Sequence, residues 1–96
     1  MDKTFYVYIL SSLSHRLYVG VTSDLEGRVW QHKNKVTAGF TKKYNIDRLM
    51  WYAETDDWHA AFEEEKRIKS WRREKKIKLI EENNAGWLDI SEDWFK

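Results

Sequence analysis

Two strand-like segments joined by a short connection constrain the fold of this chain more than any other feature. Residues 5–10 are aromatic and β-branched, and residues 16–22 have the same character. The intervening residues 11–15 are turn-like, so we expect the two segments to form a β-hairpin. With 96 residues the chain is the size of a single domain, covering residues 1–96, and can bury one modest core.

Helix signals follow directly after the hairpin. Ser23 and Glu26 match a capping box, in which each side chain bonds the backbone N–H of the other residue. A helix is therefore predicted from about residue 24 to about residue 33. Leu25 and Val29 lie one turn apart on its expected buried side.

The rest of the chain predicts one more strand and two more helices. A polar, basic loop is expected at residues 34–45, and Asp57 is the predicted N-cap of the second helix. The further elements are predicted at residues 47–54, 58–71 and 73–82. The tail is rich in Trp and apolar residues, so it should fold back onto the domain. This order predicts an α+β fold, with helices packed on a small, largely antiparallel sheet.

Composition excludes several classes of protein. The chain has no cysteine, which excludes disulfides, thiolate zinc sites and cysteine nucleophiles, and suggests a cytoplasmic protein. No apolar run approaches the roughly 20 residues that a membrane-spanning helix needs. The opening residues 1–4 lead straight into a strand-like segment, so we expect no cleavable signal peptide.

The near-neutral net charge of +1 conceals two basic blocks. Residues 28–48 carry a net charge of +5, and residues 66–80 carry a net charge of +7. Such blocks either are solvated helix faces or form a phosphate-binding surface. On the second interpretation, the candidate nucleic-acid contacts are Lys35, Lys42, Lys43, Lys69, Arg72 and Arg73.

Glu65 is the most informative single position. On a helix with 100° per residue and Ala61 set at 0°, Trp58, Phe62 and Ile68 centre an apolar stripe near 35°. Glu65 falls near 40°, inside the stripe, whereas its two neighbouring glutamates fall outside it. An inward carboxylate needs a cation, a hydrogen-bond donor or a raised pKa. It is therefore a structural ion pair, a residue at the edge of a cleft, or a ligand for a hard divalent ion such as Mg²⁺.

Other polar candidates lie near the start of the chain. Arg28 and His32 are four residues apart on the first predicted helix and share a face, where they could bind phosphate and relay a proton. Tyr6 and Tyr8 share one face of the first strand, and Tyr18 lies on the second. These side chains could equally be ordinary surface and core residues. Within the second strand, Gly20 predicts close approach by a ligand or another backbone.

Taken together, these residues resemble the GIY-YIG nuclease domain. The resemblance is carried by Tyr6-Val7-Tyr8, Tyr18-Val19-Gly20, Arg28, His32 and Glu65, in order and at family spacing. The sequence is also similar to a group of small, stand-alone, uncharacterised bacterial members. The shared segments are Leu-Tyr-Val-Gly-Val-Thr at 17–22, Gly-Phe-Thr-Lys-Lys-Tyr-Asn at 39–45, Glu-Lys-Arg-Ile-Lys-Ser-Trp at 65–71 and Asp-Ile-Ser-Glu-Asp-Trp at 89–94.

The resemblance implies a three-stranded antiparallel sheet flanked by helices, and metal-dependent cleavage of DNA, with branched or damaged DNA among the candidates. It makes Tyr8 and Tyr18 the motif tyrosines, with Tyr18 as general base or its partner. It places Arg28 on the scissile phosphate, His32 in the proton network and Glu65 on Mg²⁺ or Mn²⁺.

Further support is expected from Tyr6, Gly20 and Asn84, the last matching an asparagine common after the final helix of the small members. Tyr6 stands where the family name has Gly, and Ala85 replaces a proline common in the group, but neither change removes a catalytic group. Two alternatives remain open: a binding module of the same fold that cuts nucleic acid weakly, and a protein-interaction adaptor that uses the Trp-rich tail. We expect no second domain for target recognition within these 96 residues.

Overall fold

The two segments at the start of the chain pair as predicted. β1 (Phe5–Ser11) and β2 (Leu17–Thr22) form an antiparallel hairpin in the computed structural model, which describes residues 3–96. β3 (Arg48–Thr55) pairs antiparallel with the other edge of β1, so the strand order is β2-β1-β3. The predicted α+β fold with a three-stranded antiparallel sheet is therefore confirmed. The expectation about a signal peptide falls partly on residues 1–2, which lie outside the described residues.

Four helices connect and flank the strands. They are α1 (Leu25–Lys33), α2 (Phe40–Lys43), α3 (Trp58–Lys69) and α4 (Arg73–Asn83). The predicted loop over residues 34–45 is partly wrong, because it contains α2. This short helix begins after Gly39, whose φ of +101° is a conformation that glycine adopts without strain. In the part of the chain that the structure describes, no helix is long and apolar enough to cross a membrane.

The predicted capping box at the start of α1 is wrong. Asp24 is the N-cap, and its carboxylate accepts a hydrogen bond from the Gly27 N–H at 3.0 Å. A capping box requires its Glu at the third helical position. Because the helix begins at Leu25, Glu26 is at the second position, one residue too early to reach back. Asp57 caps α3 as predicted, accepting from the His59 N–H at 2.9 Å.

The sheet separates two apolar clusters, because successive strand residues point to opposite faces. One cluster joins Tyr8 and Leu10 of β1 to Leu25 and Val29 of α1, which are buried as predicted. The other joins the remaining β1 residues to α3 and α4, through Val7, Ile9, Val19, Ala61, Ile68 and Ile80. Tyr8 and the α1 residues of the candidate site lie on the first of these faces, and Glu65 is on α3.

The C-terminal tail folds back onto the sheet, as predicted. The Ile90 N–H donates to the Leu49 carbonyl at 2.9 Å, and Trp87 is buried with its ring stacked on His15 at 3.7 Å between centroids. Trp94 packs against the cluster beneath α1. Both tail tryptophans therefore contribute to the packing of the domain, which weakens the interpretation of the tail as an adaptor surface.

Candidate active site

Glu65 is buried on α3, as its position on the helix predicts. The residue is only 9% exposed, and the same face of α3 buries Ala61 and Ile68. The apolar stripe is narrower than expected, since Trp58 and Phe62 are 43% and 38% exposed. Burial is therefore centred close to Ala61, and the carboxylate of Glu65 lies within it. Its neighbour in the structure is Lys69, whose Nζ lies 3.5 Å from a Glu65 carboxylate oxygen.

The ring of Tyr8 occupies the space that a side chain at position 20 would fill, and this position requires Gly20. The two residues are directly opposite each other in the hairpin, and the Tyr8 ring lies across the glycine. A Cβ atom on Gly20 would stand 2.4 Å from the Tyr8 hydroxyl oxygen, far inside van der Waals contact. The close approach predicted at Gly20 is therefore made by a side chain of the protein, neither by a ligand nor by another backbone.

Arg28 links the two motif tyrosines. It interacts with the hydroxyls of Tyr8 and Tyr18, and Tyr8 is the largest cause of the raised pKa of its guanidinium. Burial raises the pKa of Tyr8 to about 12, although the nearby Arg28 guanidinium opposes this rise. Glu65 is close enough to raise the same pKa slightly. At neutral pH Tyr8 therefore keeps its proton and can donate a hydrogen bond, but it is not a base.

His32 is buried beside the tyrosines and carries no charge at neutral pH. Burial and, next, the positive charge of Arg28 lower the pKa of His32 to about 4. Its Nδ1 atom lies 3.1 Å from the Thr41 hydroxyl oxygen, a hydrogen bond whose direction depends on the tautomer. Within residues 3–96, the buried Nε2 atom has no hydrogen-bond partner. A buried ring nitrogen without a partner is costly for the fold, so it indicates a place for a ligand or a water.

The rings of these residues form one cluster. The His32 centroid lies 5.7 Å from that of Tyr18 and 6.4 Å from that of Tyr8, and the two tyrosine centroids are 6.4 Å apart. The structure thus brings Tyr8, Tyr18, Arg28 and His32 together, as the resemblance implies. Glu65 lies on α3, which packs against β1 and β2.

Among the candidate residues, only the Glu65 carboxylate is suited to bind a hard divalent cation. Among residues 3–96 there is no group of three or more His, Cys, Asp and Glu side chains that could hold a metal. Mg²⁺ commonly binds through one or two carboxylates and completes its shell with water and substrate phosphate. Glu65, a buried carboxylate whose ion-pair partner is a half-exposed lysine, fits such a site.

The predicted nucleic-acid contacts separate into different environments. Lys69 faces Glu65, and Lys35 lies 3.6 Å from a carboxylate oxygen of Asp47. Lys42 and Lys43 are exposed on α2, and Arg72 is exposed at the start of α4. Arg73 donates from Nη2 to the His15 carbonyl at 2.7 Å, next to the start of β2. The second basic block thus meets the hairpin through Arg73.

Two of the expected supporting residues, Tyr6 and Asn84, make their main contacts outside the cluster of rings. Tyr6 lines a separate cavity of about 440 Å³ with Tyr52, Trp94 and acidic residues. The Asn84 side-chain amide donates to the Met50 and Leu88 carbonyls at 3.2 and 2.8 Å. Asn84 therefore ties the tail to β3, and it contacts none of the catalytic candidates.

Two residues of the site were not predicted. Thr41 on α2 holds His32, and Gln31 accepts a hydrogen bond from the Arg28 guanidinium at 3.0 Å. Thr41 lies within the Gly-Phe-Thr-Lys-Lys-Tyr-Asn segment that carries the resemblance to the small members, so that segment was a usable signal. Gln31 follows from spacing alone, because it is three residues from Arg28 on the same helix.

Comparison with known proteins identifies the family of the chain. The family model for the GIY-YIG catalytic domain matches residues 4–78. A UPF0213 protein of Staphylococcus saprophyticus is 37% identical over 82 residues, covering 85% of this chain and 99% of that protein. A UPF0213 protein of Haloquadratum walsbyi is 38% identical over 82 residues, covering 85% and 92%.

The chain therefore belongs to the GIY-YIG family. More narrowly, its relatives are UPF0213 proteins, the small and uncharacterised members. The fold is also that of a solved relative, since the solution NMR structure of UPF0213 protein BH0048 from Bacillus halodurans matches with a TM-score of 0.58. That match is 24% identical and covers 94% of this chain and 97% of the other.

Proposed function

We propose that this protein is a divalent-metal-dependent endonuclease that hydrolyses phosphodiester bonds in DNA. The observation that carries the proposal is the cluster of Tyr8, Tyr18, Arg28 and buried, uncharged His32, with the Glu65 carboxylate near enough to act on Tyr8. Burying the Glu65 carboxylate lowers the stability of the fold, and so does burying the His32 Nε2 atom, which has no hydrogen-bond partner within residues 3–96. Such costs are typical of functional sites. Membership of a nuclease family points to the same reaction.

In this proposal Arg28 binds the scissile phosphate. Its planar guanidinium can form two parallel hydrogen bonds with phosphate oxygens. Gln31 and the tyrosine hydroxyls orient the guanidinium before substrate arrives. A fixed positive charge of this kind stabilises the negative charge that develops in the transition state.

Tyr18 and His32 are the candidates for handling the proton of the attacking water. In the tautomer in which His32 Nδ1–H donates to Thr41, the Nε2 atom is a free acceptor. Tyr18 has the nearer ring to His32 and is the candidate general base or its partner. Tyr8, which keeps its proton, is suited to donate a hydrogen bond to a phosphate oxygen.

Glu65 is the residue that would hold Mg²⁺ or Mn²⁺. When bound there, the ion would polarise the phosphate and stabilise the leaving oxygen. Lys69 neutralises the carboxylate in the absence of the ion and can move away from it, because its side chain is half exposed. The exposed lysines and arginines of the two basic blocks would contact the flanking backbone, an attraction that salt weakens.

The test is cleavage of a substrate panel by the purified chain. The panel contains single-stranded, double-stranded, nicked and branched DNA, with matched RNA strands, each incubated with Mg²⁺, with Mn²⁺ and with chelator. We expect metal-dependent cleavage, and at least about 100-fold loss in Glu65→Gln, which removes the metal ligand and preserves shape.

Two neighbouring glutamates provide matched controls. Glu63 is exposed, and Glu64 pairs with Arg67 on the surface, so Glu63→Gln and Glu64→Gln should retain activity. Equal loss in Glu64→Gln would contradict the role assigned to Glu65. Absence of turnover by the unmutated chain across the whole panel would favour a binding module of the same fold.

A further inference from the structure

A cationic depression with an exposed aromatic ring lies beside the candidate active site. It has a volume of about 260 Å³ and is lined by Arg16, Leu17, Phe40, Arg73 and Lys76, which we call the Phe40 surface. These residues come from the turn before β2, the first residue of β2, the start of α2 and the first turns of α4. The lining contains three cations and no carboxylate, so it favours an anionic ligand.

The Phe40 ring is exposed but supported. It is 50% exposed, and the Tyr44 ring packs against it edge to face with centroids 5.0 Å apart. The Arg16 guanidinium lies 4.0 Å from the centroid of Tyr44, so the two aromatic rings and this cation form one continuous support. An aromatic face held in this way among cations is the arrangement on which proteins stack unpaired bases.

The three cations are available to phosphates. Within residues 3–96 none of Arg16, Arg73 and Lys76 forms an ion pair, whereas Arg67 pairs with Glu64 and Lys33 with Asp89. The hydrogen bond from Arg73 Nη2 to the His15 carbonyl fixes the position of this guanidinium and leaves further N–H groups for a ligand.

The Phe40 surface adjoins the catalytic candidates through α2. Phe40 directly precedes Thr41, the residue that bonds His32. A strand whose phosphate lies at Arg28 would therefore have a neighbouring nucleotide within reach of this surface.

We propose that the Phe40 surface binds an unpaired nucleotide of a DNA strand next to the scissile phosphate. Its base stacks on Phe40, and Arg16, Arg73 and Lys76 bind the flanking phosphates. The base must be unpaired, because in a duplex both faces of each base are covered by its neighbours. This inference rests on the proposed nuclease function and makes its substrate a strand with single-stranded character.

The test measures binding in chelator, where no cleavage is expected. The probes are a fluorescent single-stranded oligodeoxynucleotide, the same strand in a blunt duplex, and the same strand with consecutive abasic sites, which keep the phosphates but lack bases. The unmutated chain should bind the single strand more tightly than the other two probes. Phe40→Ala should weaken single-strand binding by about 5- to 150-fold, the scale of one stacked base, and change the other two by less than about 2-fold.

Matched variants separate stacking from charge and from folding. Phe95→Ala removes an aromatic of similar exposure beside Asp24 and Glu26, and should leave all three affinities unchanged. Phe40→Trp retains a stacking face and should preserve single-strand binding, which also shows that the site folds. Arg73→Ala should weaken all three probes alike and lower the salt slope by about one ion.

Three results would overturn the inference: unchanged single-strand binding in Phe40→Ala, equal weakening of all three probes by that variant, or no preference of the unmutated chain for the single strand over the abasic strand. The nuclease proposal is judged separately, by turnover with metal. Base-dependent binding without turnover would support the Phe40 surface and contradict the nuclease proposal. Turnover together with unchanged single-strand binding in Phe40→Ala would support the nuclease proposal and contradict the Phe40 surface.

Discussion

Replacing Gly20 with alanine tests how the hairpin positions Tyr8. The added Cβ would stand 2.4 Å from the Tyr8 hydroxyl oxygen and 2.5 Å from Cζ, so the ring must retreat by roughly 1 Å to reach van der Waals separation. Tyr8 is 1% exposed and packs within the cluster beneath α1, where close packing leaves little room for that movement.

The size of the effect follows from two opposing contributions. Overpacking of a filled core costs about 1–3 kcal/mol, while replacing Gly by Ala in a strand returns about 0.5–1 kcal/mol of conformational entropy. We therefore expect Gly20→Ala to lower the free energy of unfolding by about 1–2 kcal/mol. For a domain of this length that corresponds to a fall in Tm of roughly 5–15 °C.

Urea unfolding followed by tryptophan fluorescence measures this change directly. Gly86→Ala is the matched control, because its nearest new neighbour is the Leu88 Cγ atom at an ordinary 3.6 Å, so it should be neutral or slightly stabilising. The same Gly20→Ala change is then made in a Tyr8→Val background, which lacks the ring atoms that approach the glycine. There the loss should disappear.

The reasoning fails if Gly20→Ala is as stable as the unmutated chain. It also fails if the loss persists undiminished in the Tyr8→Val background, since the strain would then arise elsewhere. The Gly20→Ala change is measured both in the unmutated chain and in the Tyr8→Val chain. The difference between its two effects is the coupling free energy between positions 8 and 20, and it shows whether the strain comes from contact with the Tyr8 ring.

Three further predictions concern the cluster around Arg28. Arg28→Lys keeps the charge but loses the forked donors, so the cleavage rate should fall at least about tenfold; a near-normal rate would make Arg28 a surface residue. Tyr18→Phe should reduce turnover by about 100-fold or more while nucleic-acid binding at fixed salt stays unchanged, and equal losses in both would indicate a substrate contact instead. The free energy of unfolding should fall as the pH drops from about 6.5 to about 4, because the unfolded chain takes up a proton on His32 that the folded chain, with its pKa lowered to about 4, does not. This loss of about 3 kcal/mol, found from unfolding titrations across pH, should be absent in His32→Gln and retained in His59→Gln, whose parent residue is exposed.

Local patterns in the sequence predicted most of the fold. The aromatic and β-branched composition of β1 and β2, the short connection and the Asp57 cap are local features, so they can be read without the tertiary structure. The inward position of Glu65 also follows from helical periodicity alone. The same reasoning predicted a loop where α2 forms. It also assigned the cap of α1 to Ser23 in place of Asp24, because the two capping residues are adjacent and the start of a helix is uncertain by one residue.

The sequence by itself determined which side chains share a face: Tyr6 with Tyr8, Arg28 with His32, and Glu65 with Ala61 and Ile68. Only the tertiary structure decided which faces meet, because contacts between distant segments depend on how the sheet and helices pack and not on local spacing. Packing closed α2 over α1, so that Thr41 bonds His32, and brought Arg73 of α4 to the hairpin turn at His15. Burial then set the pKa values of Tyr8 and His32, because removal from water is a property of the assembled domain that no short stretch of sequence contains.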